Sequence, residues 1–116
     1  MAVHQAEIVW KGVADEDFLA GHYSRAHVIN FDGGATVAAS ASPAVVRAPW
    51  SDPSAVDPEE MFLASLSSCH MLWFLDFARR ERVVVRGYID RIEGTLGKDI
   101  DGAVAMTRVV LRPTAD

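Results

Sequence analysis

Residues 57–80 read DPEEMFLASLSSCHMLWFLDFARR, and the reading of this stretch decides the fold. It opens as a helix should. Asp57 suits the N-cap, Pro58 the first helical position, and Glu60 falls three residues after the cap, as in a capping box. Glu59 and Glu60 favour the positive end of the helix dipole, and Arg79 and Arg80 the negative end. Between them, Met61 to Ala78 is apolar nearly all round. A bilayer span takes about 20 apolar residues. This run is broken by Ser65, Ser67, Ser68, His70 and Asp76. It therefore reads as a helix buried in a soluble protein or packed at a subunit interface, and no membrane is expected as a partner.

On the N-terminal side, AEIVWKG predicts a short strand. AHVINFDGGATVAASAS predicts two more around Asp32-Gly33-Gly34, because a tight hairpin turn needs the positive φ that glycine supplies. PAVVRAPWSDPSAVDP, with four prolines, predicts an irregular loop. On the C-terminal side, RVVVRGYIDRIEGTLG and GAVAMTRVVLRP predict one strand each, with LGKDIDG as the turn between them. Three strands, a long helix and two strands are segregated along the chain. That order predicts an α+β fold with an antiparallel sheet packed on the helix.

The chain has 116 residues, half of them hydrophobic, which fits one domain over residues 1–116 with a small core. Self-association would bury the apolar surface that so small a core leaves over. The net charge is −5 with no block of like charges, so nucleic acid is not expected as a partner. Cys69 is the one cysteine, which excludes an intrachain disulfide framework and fits a reducing compartment. MAVHQAEIVW lacks the apolar core of a signal peptide, and a cytoplasmic location is expected.

Cys69 has three readings. A free cysteine is commonly a small buried hydrophobe. A reactive one needs a nearby cation or donor to favour the thiolate. Its polar neighbours Ser68 and His70 point toward reactivity, yet helical neighbours face about 100° apart, so His70 is badly placed to take the thiol proton. A supporting or interface role suits His70 better. Metal binding is the weakest reading, since zinc takes about four ligands in recognisable pairs. His4, His22, His27, His70 and Cys69 show no such spacing, and no metal or other cofactor is expected. Glu59 is accounted for by the helix start. A straight helix holds it about 15 Å from Cys69, so contact would need a kink or a partner subunit. Arg25 reads as a solvated strand end, and Trp73, Phe74 and Phe77 as core or interface aromatics.

Taken whole, DPEEMFLASLSSCHMLWFLDFARR resembles the central motif of the OsmC/Ohr family, the osmotically inducible protein C and organic hydroperoxide resistance proteins. In that motif Pro-Glu-Glu/Gln opens the helix and a cysteine follows ten residues after the glutamate, as Cys69 follows Glu59. YSRAHVINFDGG, VAASASP and GYIDRIEGTL…MTRVVLRP are similar to the flanking strands, so the resemblance covers nearly the whole chain. It implies an α+β intertwined homodimer with two interface sites. It implies a thiol peroxidase acting on organic hydroperoxides, with Cys69 the peroxidatic cysteine, Glu59 the catalytic glutamate and Arg25 the catalytic arginine. The family pattern continues beyond the VVLRP strand into a helix and strand bearing a second, resolving cysteine. This sequence ends at Asp116 and has no second cysteine, so an external thiol or dithiol is the expected reductant. A non-catalytic dimer holding a small apolar ligand at the same interface, and a purely structural dimer, are the alternatives.

Overall fold

The computed structural model describes residues 1–116 and divides into two compact units, Met1–Pro58 and Glu59–Asp116. All strand-to-strand ladders are antiparallel, and one long helix dominates the secondary structure, an α+β composition. The strands form three separate sheets and number seven, where five strands were expected.

The first unit holds a three-stranded sheet of β1 (Ala6–Val9), β2 (His27–Phe31) and β3 (Thr36–Ala39), in that order. These are the three strands expected from the sequence. The β2–β3 turn closes through Gly34, whose φ of +100° only glycine adopts without strain, and Gly34 N–H donates to the Phe31 carbonyl. Cross-strand register puts Ile8, Ile29 and Val37 in one row and Val9, Val28 and Ala38 in another, on opposite faces. A short helix, α1 (Asp15–Leu19), precedes β2 and was not foreseen. Its first turn is acidic throughout, at Asp15, Glu16 and Asp17, which suits the dipole.

The proline-rich stretch is irregular, as predicted, but it is not loose. Ser40 is fully buried; its N–H donates to the Val56 carbonyl and its Oγ accepts from Asp52 N–H at 2.9 Å. Val56 N–H donates in turn to the Ala38 carbonyl, so the loop returns along β3 in a parallel bridge. Asp52 anchors the tight turn inside this loop. Its carboxylate accepts from the Ser54 hydroxyl at 2.6 Å and from Ser54 N–H at 2.9 Å.

The second unit holds α2 (Pro58–Arg80), unbroken over 23 residues, with Asp57 just ahead of it as the cap position requires. Four strands follow: β4 (Tyr88–Asp90), β5 (Glu93–Lys98), β6 (Val104–Val110) and β7 (Pro113–Ala115). β4 pairs with β7, and β5 with β6. The single strand expected over RVVVRGYIDRIEGTLG is thus two strands in two sheets, and Val83–Val85 belong to neither. The reason lies at the helix end. Val83 N–H donates to the Ala78 carbonyl and Arg82 N–H to the Arg79 carbonyl, the two bonds of a Schellman cap. That cap forces Arg82 to φ +60° and turns the chain before the valines can join a ladder.

One stripe of α2 packs on the strands of its own unit. Ser67 Oγ donates to Asp90 Oδ2 at 2.6 Å, His70 Nδ1 and the Tyr88 hydroxyl share a 3.2 Å hydrogen bond, and Phe74 meets the Tyr88 ring at 5.7 Å. Gly94 of β5 admits the helix closely, since a Cβ there would stand 2.7 Å from Leu63. By length and composition alone α2 could cross a membrane.

Two expectations follow. The Ser54 hydroxyl first, and then the Ser54 N–H, hold the Asp52 carboxyl below its ordinary 3.8, against a small opposing effect of desolvation. The turn's contribution to stability is complete above the unfolded value and is lost as pH falls through the lowered native one. Carbon-detected NMR titration gives a native midpoint under 3.8, and Ser54→Ala moves it upward. Separately, Arg82→Gly relieves the left-handed residue and raises the unfolding free energy by about 0.5–1 kcal/mol in urea melts.

Candidate functional site

Cys69 is exposed in the single chain, not a filler of its core. It stands on a second stripe of α2, with Phe62, Leu66, Trp73 and Phe77 at spacings of four, three, four and four residues. This stripe runs one residue out of step with Leu63, Ser67, His70 and Phe74, so it lies about 100° around the helix from the face that meets the strands. Its apolar members are uncovered: Phe62 is 47% exposed, Trp73 56% and Phe77 53%. Trp73 and Phe77 stack with centroids 5.7 Å apart. The thiol is therefore set in an open aromatic and aliphatic surface.

Glu59 lies on the first turn of the same helix, and its Oε2 is shut off from solvent without a hydrogen-bond partner. A buried carboxylate oxygen left unpaired is costly, and the group best suited to it is a guanidinium or another cationic donor. Because α2 is unbroken, ten residues separate Glu59 and Cys69 by about 15 Å along its axis. The helix thus does not bring these two predicted residues together.

Arg25 belongs to the first unit and immediately precedes Ala26 and β2. It is no solvated strand end. Its Nη1 donates to the Gly21 carbonyl at 3.0 Å and the Tyr23 carbonyl at 2.7 Å, and its Cζ lies 3.7 Å from the Tyr23 ring centroid. Tyr23 stacks on Phe18 at 5.0 Å and meets Trp10 edge-on at 5.5 Å, which locks the platform. Arg25 N–H donates to the Trp50 carbonyl at 2.9 Å, tying the residue to the proline-rich loop. A guanidinium fixed through one nitrogen keeps its other donors available in a set direction.

His70 is exposed, and its Nδ1 shares a hydrogen bond with the Tyr88 hydroxyl. No three His, Cys, Asp or Glu side chains converge to form a metal-ligating group. Sequence reasoning did not single out Tyr88 and Asp90. Their one sequence signal is alternation, which places both on the same face of β4, but nothing in it tells that this face meets α2.

An α+β chain with an exposed thiol on a long apolar helix defines a recognisable class. Residues 51–116 match the family model of OsmC-like proteins. All of the chain superposes on an OsmC-like protein of unknown function from Vibrio cholerae O1 biovar eltor, with a TM-score of 0.94 and 49% identity, over 75% of that chain. No curated protein matches the sequence. The chain belongs to the OsmC-like family.

Proposed function

We propose that this protein is a thiol-dependent peroxidase that reduces organic hydroperoxides through Cys69, working as a homodimer. The observation that carries the reading is the exposed thiol amid Phe62, Leu66, Trp73 and Phe77. An apolar surround around a nucleophile selects substrates with an organic group over hydrogen peroxide, which has none.

The dimer completes the site. The dimer is supported by the aromatic and aliphatic stripe of α2, which stays open in the second unit. Ala39 is the one hydrophobic residue that is buried in the isolated chain. The role proposed for Glu59, whose buried Oε2 lacks a partner, is to orient a guanidinium by a charge-assisted bond, and the role proposed for Arg25 is to supply one. Arg25 favours the Cys69 thiolate and polarises the peroxide.

The thiolate attacks the terminal oxygen of the hydroperoxide. An S–O bond forms as the O–O bond breaks, and the alkoxide departs as an alcohol after taking a proton. Sulfur is oxidised by two electrons to a sulfenic acid. An external thiol attacks that sulfur, releasing water and giving a mixed disulfide. A second thiol frees Cys69 as an external disulfide leaves.

Sedimentation at micromolar concentration gives the mass of two chains; a well-folded monomer removes the assembly. One equivalent of cumene hydroperoxide gives a sulfenic acid on Cys69 that dimedone traps. Excess peroxide without thiol drives it on to sulfinic and sulfonic acids, read by mass spectrometry. A Cys69 thiol left unmodified under excess peroxide refutes the peroxidase and leaves a binder of small apolar ligands or a structural dimer.

A further inference from the structure

We propose that Asp90 is a positioning residue for Cys69, setting the rotation of α2 about its axis; the inference rests on the peroxidase reading for its kinetic consequence. Asp90 uses both carboxylate oxygens. Oδ2 accepts from Ser67 Oγ at 2.6 Å, and Oδ1 accepts from Arg112 N–H at 2.7 Å. One side chain thus ties α2, β4 and the start of β7 together. Ser67 stands two residues before Cys69. One residue after Cys69, His70 makes the second tie, to Tyr88 on the same face of β4.

The need for such a grip follows from the rest of the helix. The stripe bearing Cys69 is aromatic and aliphatic, and apolar contacts are not directional. They hold a helix against a partner while specifying its rotation poorly. Hydrogen bonds are directional. A rotation of about 20° displaces a side-chain atom at the helix's outer radius by about 2 Å. Misplacement of about 1 Å can cost 100-fold in rate. Asp90 and Tyr88 grip the helix on both sides of the thiol, leaving Cys69 on the neighbouring face, free to react. Asp90 touches no substrate in this scheme and acts through Ser67.

The test uses the full chain, with cumene hydroperoxide as oxidant, dithiothreitol as reductant, and a parallel measurement of Cys69 alkylation by iodoacetamide. Asp90→Ala and Ser67→Ala each lower kcat about tenfold and leave KM within about twofold. The double variant is no slower than either single one, because both remove the same bond. Asp90→Asn keeps at least half the activity, since its amide can accept from Arg112 N–H and donate to Ser67. Wild-type kcat in a folded Asp90→Ala protein, losses that multiply in the double variant, or an Asn variant as slow as the Ala variant each overturn the proposal. Absence of turnover in the wild type refutes the peroxidase reading alone. Alkylation then decides the positioning: Asp90→Ala and Ser67→Ala change its rate at least threefold and non-additively, and unchanged rates overturn it. Should Asp90→Ala fail to fold, Ser67→Ala and Asp90→Asn carry the same comparison.

Discussion

Everything in the second unit depends on how α2 divides its circumference. A helix apolar nearly all round has no intrinsic preference for what each face meets. Here two stripes one residue out of step have different fates. Leu63, Ser67, His70 and Phe74 are engaged by β4 and β5. Phe62, Leu66, Cys69, Trp73 and Phe77 remain open. The Ser67 and His70 bonds add direction to the apolar contacts that Leu63 and Phe74 make on the same stripe.

The first unit supplies a complementary constraint. Arg25 is fixed from three directions, by the carbonyls of Gly21 and Tyr23, by the Tyr23 ring, and by its own N–H on Trp50. A rigid cation and an orphaned buried carboxylate oxygen on Glu59 are each unusual within a single chain. Arg25 belongs to the first unit and Glu59 to the second.

Much of this was legible in the sequence, for identifiable reasons. Asp57-Pro58-Glu59-Glu60 encodes a helix start with several local signals that agree, and α2 begins where they say. Asp32-Gly33-Gly34 likewise encodes a turn by local chemistry, and β2 and β3 flank it. The failures are non-local. Val83-Val84-Val85 has strand propensity, but the Schellman cap at Arg82 redirects the backbone first. The short helix at Asp15–Leu19 has no side-chain cap to announce it. Cys69 drew attention as the one thiol, but its grouping with Glu59 and Arg25 came only from the family resemblance, because no spacing rule relates Arg25 to residues on α2. The Ser67–Asp90 bond spans 23 residues of sequence and left no trace in periodicity.

The pairing of β4 has a consequence for handling the protein. β4 has one ladder partner, β7, and Asp116 continues that ladder through bonds with Arg86 and Gly87. Pro113–Asp116 is thus mechanically coupled to the thiol through a single strand and two side chains. A label or linker introduced within Pro113–Asp116 would act on the strand pair that carries both hydrogen bonds to α2. A reporter placed at the β5–β6 tip, where Ile100 is 99% exposed, would hang from a different sheet and at the end away from Gly94, where β5 meets the helix.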